Sequence, residues 1–129
     1  MSDAADDKNG ALERFALVTG EDGEETLAGL EGVAPDLGRY IVEFGYGEVY
    51  ARPGLELRER QIAAVAALVT QGGAEPQLRT HIGGALRVGL SEAEVIEVIV
   101  QCLPFVGFPR VLNAVSTARL VFARERHHG

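Results

Sequence analysis

The sequence is poor in several residue types that mark common classes of protein. It has one cysteine, Cys102, no tryptophan, and only 6% aromatic residues among its 129 positions. A single cysteine cannot form an internal disulfide, which excludes the small disulfide-stabilised secreted domains. The sequence also does not start with the basic and then apolar segments of a secretory signal. These two absences favour a cytoplasmic location.

Basic residues and long apolar runs are scarce as well. Twelve lysines and arginines stand against 19 aspartates and glutamates, which gives a formal net charge of −7. Binding nucleic acid needs a basic face that neutralises phosphates, so no nucleic-acid partner is expected. The longest mostly apolar stretch, residues 95–107, carries Glu97 and Gln101 and is too short to span a bilayer. No membrane partner is expected either, whereas single arginines can still bind a small anion.

Helical patterning accounts for most of what is present. Residues 1–10 are polar with almost nothing to bury, which predicts a flexible N-terminal arm, and residues 11–129 are long enough for one domain. No segment alternates apolar and polar residues between turn signals, so no strand is expected. The sequence therefore predicts an all-α bundle of about six helices.

Breaker and capping residues divide this pattern into helices. Residues 12–18 and 24–30 predict short helices, and residues 36–44 predict another that ends at Gly45 and Gly47. The Arg52-Pro-Gly stretch predicts a loop, because the residue before a proline avoids the helical region.

The second half of the sequence has stronger helix signals. A helix from Arg58 is apolar nearly all round, which predicts that it is buried, and Gly72 and Gly73 close it. Pro76 suits the first turn of the next helix, which Gly89 closes.

Ser91 and Glu94 have the S-x-x-E spacing of a capping box and predict a helix start. Pro104 should bend or end that helix, and a final helix is predicted over about residues 109–126. These helices carry more apolar surface than one small domain can bury, which predicts a homo-oligomer.

Two clusters contain the residues best suited to chemistry. Residues 79–94 include His81, a lone imidazole among small apolar residues whose unperturbed pKa lies near neutrality. Residues 47–60 supply carboxylates and guanidiniums, among them Glu48, Arg52 and Arg58.

Five segments taken together, in this order, resemble the carboxymuconolactone decarboxylase family within the alkylhydroperoxidase D-like fold. They are GEVYARPG at 47–54, LRERQIAA at 57–64, QLRTHIGGALRVGL at 77–90, EVIEVI at 94–99 and GFPRVLNA at 107–114. The resemblance implies a helical fold whose central helix pair forms the active site. It also implies assembly as a trimer or hexamer.

The peroxidase branch of this fold carries a C-x-x-C pair followed by a histidine. At the two cysteine positions this sequence has Ala74 and Gln77, so thiol peroxidase chemistry is not expected. That branch also has a glutamate near the start of the buried helix, where this sequence has Gln61. The corresponding proton relay is therefore absent or is replaced by Glu59.

The resemblance implies a decarboxylase that needs no cofactor and acts on a small carboxylated lactone such as 4-carboxymuconolactone, in aromatic compound degradation. The conjugated lactone carbonyl takes up the electron pair, so neither a metal nor an organic cofactor is required. In this interpretation Arg52 and Arg58 hold the carboxylates of the anionic substrate, because guanidinium grips carboxylate bidentately. His81 is the general acid, and Glu48 orients or tunes its imidazole.

Two alternatives remain at this point. His81 can instead be a core histidine bonded to backbone, in a non-catalytic oligomeric protein that holds an anionic or apolar ligand in the same pocket. A redox or stress-response protein that uses Cys102 alone is the third interpretation, although a cysteine in an apolar run is typical of a small buried hydrophobe.

Overall fold

The computed structural model describes residues 7–128, and its regular elements are helices, with no strand among those residues. The all-α class is thereby confirmed. Of the predicted N-terminal arm, residues 1–6 lie outside the described part of the chain, and Lys8–Gly10 form a short 3₁₀ helix. No helix within residues 7–128 is both long and apolar enough to cross a membrane.

The chain divides into two compact units, Met1–Glu56 and Leu57–Gly129. In the first unit the 3₁₀ helix is followed by helix α1 (Ala11–Leu30), helix α2 (Pro35–Tyr40) and a π-helix (Ile41–Val49). The second unit contains α3 (Leu57–Gln71), α4 (Glu75–Arg87), α5 (Glu92–Gln101), α6 (Leu103–Val106) and α7 (Phe108–His128).

Helix α1 is interrupted near its middle. Gly20 has φ 57° and ψ −143°, a conformation outside the helical region that glycine adopts at low cost. The two short helices predicted over residues 12–18 and 24–30 are thus the two halves of α1, joined at this glycine.

The predicted helix end at Gly45 and Gly47 is wrong. The chain continues through both glycines with i→i+5 hydrogen bonds, the last of which joins the Tyr50 N–H to the Gly45 carbonyl at 2.9 Å. Side chains from the start of the unit satisfy carbonyls in its last turn: Asn9 donates to the Gly47 oxygen at 3.1 Å, and Arg14 donates to the Tyr46 oxygen. These remote donors stabilise a turn that the local sequence would end.

The core of the second unit is an apolar cluster formed by α3, α4, α5 and α7. Its fully buried members have branched aliphatic or small side chains: Val65, Ile82, Ala85, Val95, Ile99, Ala114, Ala118 and Val121. The spacing of three to four residues on each helix gives one inward face per helix.

In the second unit, the helix boundaries predicted at Gly72, Gly73 and Gly89 and at the capping box are confirmed. Gly72 and Gly73 both have φ 68°, and Gly89 has φ 109°, so each ends its helix in a conformation that other residues rarely adopt. The Ser91 hydroxyl accepts from the Glu94 N–H at 3.0 Å, while the Glu94 carboxylate accepts from the Ser91 N–H at 2.9 Å.

The burial of helix α3 differs from expectation. Helix α3 is not buried all round: Val65 and Val69 face the core, whereas Ala63 and Ala67 are exposed. Helix α5 ends at Gln101, as Pro104 predicts, and the proline lies in the first turn of the separate short helix α6, where its missing N–H is not needed.

Candidate functional site

His81 lies on the second turn of α4, which starts at Glu75 with Pro76 in its first turn. The residues that follow it, Ile82 to Ala85, are buried, and small side chains there let neighbouring helices approach closely. His81 itself is half-buried. The helix therefore holds the imidazole at the edge of the core of its unit.

Gln61 is the partner of this histidine. It lies on the core-facing side of α3, four residues before Val65, and it is a polar side chain with 0% exposure. Its amide nitrogen Nε2 is 3.2 Å from His81 Nδ1 and 3.0 Å from the His81 carbonyl oxygen. One side chain of α3 thus contacts both the ring and the backbone of His81.

The surroundings of His81 disfavour its charged form. Burial is the main cause that lowers the pKa of His81, and the positive charge of Arg87 lowers it further. The neutral imidazole is therefore the dominant form near neutral pH.

Arg58 is engaged at the start of α3. Its Nη2 atom contacts Glu94 Oε2, and both side chains are partly exposed. The Ser91 N–H is the first cause that holds the pKa of Glu94 below its usual value, and Arg58 adds to that effect. Arg58 thus faces a carboxylate that also caps α5.

Glu48 and Arg52 border one open hollow in the first unit. The hollow has a volume of about 520 Å³, and its other lining residues are Asn9, Arg14, Gly47 and Ala51. Arg14 donates to the Asn9 carbonyl at 2.7 Å and thereby fixes part of the wall. A carboxylate and two guanidinium groups therefore share this polar hollow.

The structure thus brings Glu48 together with Arg52, and His81 together with Gln61, while Arg58 pairs with Glu94. That His81 and Arg52 act on the same substrate stays a prediction. The contact of Gln61 with His81 was not foreseen. Its sequence signal is a lone amide at the 61, 65, 69 spacing of an otherwise apolar helix face.

Cys102 is a buried side chain with 7% exposure. Its Sγ donates to the Val98 carbonyl at 3.5 Å, and burial raises the pKa of the thiol. Both features oppose thiolate formation and agree with a small buried hydrophobe. Within residues 7–128, no three His, Cys, Asp or Glu side chains are grouped so as to hold a metal ion.

The model of the carboxymuconolactone decarboxylase family matches residues 35–120, which include His81 and Arg58 as well as Glu48 and Arg52. The chain belongs to this family. The matched region runs from the start of α2 to Leu120 in α7.

Curated relatives of this family member include proteins named for decarboxylation. The chain is 30% identical over 122 residues to 4-carboxymuconolactone decarboxylase of Acinetobacter baylyi, which covers 95% of this chain and 90% of that protein. It is 31% identical over 118 residues to an uncharacterized 15.0 kDa protein of Paracoccus denitrificans in the nqo9–nqo10 intergenic region, over 91% and 81% of the two chains. Nitrosuccinic acid decarboxylase of Metarhizium robertsii is 29% identical over 75 residues, 58% of this chain and 52% of that one.

Proposed function

We propose that this family member is a cofactor-free decarboxylase acting on a small carboxylated lactone such as 4-carboxymuconolactone, in the degradation of aromatic compounds. The observation that carries the proposal is its 30% identity to a 4-carboxymuconolactone decarboxylase over 95% of the chain. A second relative is also named as a decarboxylase, of nitrosuccinic acid.

The chemistry asks three things of the protein. The bond between the carboxylate and its carbon breaks, CO₂ leaves, and the electron pair moves through the conjugated double bond to the lactone carbonyl oxygen. The carbonyl then re-forms as the carbon next to it takes up a proton. The protein must therefore hold the carboxylates, stabilise the charge that develops on the carbonyl oxygen and prevent protonation at the wrong atom.

His81 is proposed to act on the reacting end of the substrate. Gln61 occupies Nδ1, so Nε2 is the ring atom left to act on the substrate. Glu48 is proposed as the second catalytic group.

Arg52 is proposed to bind a substrate carboxylate, since its guanidinium borders an open hollow. Arg58 is proposed as a second carboxylate-binding residue, where the substrate would compete with Glu94.

Turnover of 4-carboxymuconolactone tests the proposal directly, by loss of its ultraviolet absorbance together with release of CO₂. We expect His81→Ala to lower kcat/KM by about 100-fold or more, the usual effect of removing a positioned acid, base or oxyanion donor. His127→Ala, which removes an exposed imidazole in the last turns of α7, should retain wild-type activity.

The rival function is a non-catalytic oligomeric protein that binds a small ligand. One observation favours it: the fold itself satisfies Nδ1 of His81, as in a structural histidine. Binding of 4-carboxymuconolactone without turnover, unchanged in His81→Ala, would support this rival and exclude the decarboxylase.

A further inference from the structure

The Gln61 amide has only one orientation that satisfies its contacts with His81. The carbonyl oxygen of His81 can only accept a hydrogen bond, so the atom 3.0 Å from it must be the amide nitrogen. Rotating the amide by half a turn would place its oxygen against that carbonyl oxygen. The backbone of α4 therefore determines which way the buried amide points.

This orientation decides where His81 carries its proton. The same nitrogen lies 3.2 Å from Nδ1, and it has a second N–H to offer there. Nδ1 must then accept through its lone pair, which leaves the ring proton on Nε2. Adding a proton to Nδ1 would set two N–H donors against each other, so the contact opposes the imidazolium as well.

One charged group on α4 acts in the same direction. On α4 itself Arg87 opposes a positive charge on His81, and the facing group from α3 is the neutral amide of Gln61. On α7, Arg124 is paired with Glu125 at 3.2 Å. On α5, Glu94 is paired with Arg58, and none of these four groups is a cause of the shift at His81.

We propose that Gln61 is a positioning residue that holds His81 as the neutral Nε2–H tautomer, so that His81 hydrogen-bonds the substrate oxygen which receives the electron pair and does not act as an imidazolium acid. The inference rests on the proposed decarboxylation. His81 keeps its proton throughout: CO₂ leaves, the electron pair moves to the carbonyl oxygen facing Nε2–H, and the carbonyl re-forms as the carbon next to it takes a proton from water, which leaves as hydroxide. A neutral imidazole suits this task because its N–H stabilises an oxyanion without prior protonation.

Nitrogen NMR of the ¹⁵N-histidine-labelled protein tests the tautomer without any substrate. At pH 7 the Nδ1 of His81 should resonate as an unprotonated acceptor and Nε2 as a protonated nitrogen, with His81→Ala providing the assignment. A proton on Nδ1, or an imidazolium at this pH, would overturn the inference whatever the activity of the enzyme.

Gln61→Glu tests the positioning role. A carboxylate at this place accepts from Nδ1–H, so His81 should change tautomer and its pKa should rise by about one unit or more. Gln71→Glu adds the same charge on an exposed position of the same helix and should leave the His81 resonances unchanged. Should Gln61→Glu fail to fold, Gln61→Met provides the second variant, in which a detectable Nδ1–H population should appear.

The pH dependence of kcat/KM separates the neutral donor from the imidazolium acid. Because the active form is neutral, the rate should rise with pH through the pKa of His81, which lies below the usual 6.5, and stay level above it. An imidazolium acid predicts the opposite, a fall with rising pH. In Gln61→Glu the neutral ring carries its proton on Nδ1 and has no N–H at Nε2, so kcat/KM above the pKa of His81 should fall below that of the wild type by about tenfold or more.

Failure of the two proposals can be told apart. Turnover by an enzyme whose His81 carries its proton on Nδ1 overturns the inference and leaves the decarboxylase intact. An Nε2–H tautomer in a protein that does not decarboxylate 4-carboxymuconolactone overturns the role of His81 in that reaction and retains the positioning by Gln61.

Discussion

Arg58 and Arg126 occupy matched surroundings, although only Arg58 is proposed to bind substrate. Arg58 contacts Glu94 and Arg126 contacts Glu92, both in the first turn of α5. Exposed ion pairs of this kind contribute at most about 1 kcal/mol to stability. The two residues therefore allow substrate binding to be separated from folding.

We expect Arg58→Ala to raise KM for 4-carboxymuconolactone by about tenfold or more, since a hydrogen bond to a charged group is worth about 1.5–3 kcal/mol. Arg126→Ala should leave KM unchanged, and thermal melting should show a similarly small loss of stability in both variants. Equal KM values in the two variants would remove Arg58 from the substrate site.

At the scale of residues, the sequence could identify the candidate functional residue His81 but not the side chain that it contacts. His81 could be singled out because it is the one histidine outside the C-terminal pair. Its contact with Gln61 joins positions 20 apart in sequence, and only the packing of α3 on α4 brings them together. The same packing gives Gln61 its positioning role, which no local pattern could reveal.

At the scale of elements, the turn between α3 and α4 holds two glycines with the same backbone conformation and different surroundings. Gly72 and Gly73 both have φ 68°. A Cβ at Gly72 would lie 2.5 Å from Arg110 Nε, whereas a Cβ at Gly73 would meet open space. Substitutions at these two glycines therefore separate the cost of backbone strain from the cost of steric overlap.

Gly73→Ala should lower the free energy of unfolding by about 1–2 kcal/mol, the cost of a left-handed non-glycine residue. Gly72→Ala should cost more, because Arg110 must also move. Urea denaturation measures both, and in an Arg110→Ala background the two substitutions should have similar effects. A persistent difference in that background would show that Arg110 is not its cause.

Local sequence patterns predicted most boundaries in both units but missed the π-helix in the first. Glycines with positive φ and the Ser91–Glu94 box act through their nearest neighbours, so their effect can be read from adjacent residues. The π-helix depends on donors from Asn9 and Arg14, which are 38 and 32 positions away from the carbonyls they satisfy. The local sequence, which does not include those donors, therefore predicts a helix end at Gly45 and Gly47.

At the scale of the whole molecule, the second unit leaves large apolar side chains at its surface. Phe105 is 80% exposed, Phe108 66% and Leu112 60%, all around the junction of α6 and α7. Large apolar side chains that are exposed close together in sequence are typical of surfaces that meet another protein. Together with the family resemblance, they support the proposed homo-oligomer.

Light scattering coupled to size-exclusion chromatography should give a mass that is a multiple of 13.8 kDa, with a trimer or hexamer expected. Leu112→Glu should shift the protein toward the monomer while its helical circular dichroism is kept, because a buried unpaired charge opposes association. Val33→Glu places the same charge on a residue that is 84% exposed in the turn after α1 and should not change the mass. A wild-type monomer would contradict the assembly.

The π-helix also affects how relatives are compared position by position. A turn closed by i→i+5 bonds contains one residue more than an α-helical turn. A homologue with a regular α-helix here would be shorter by a residue, and its counterpart of Arg52 would then be found only after a gap is opened within Ile41–Val49. Ungapped superposition of two such chains would pair the wrong side chains on one flank of this segment.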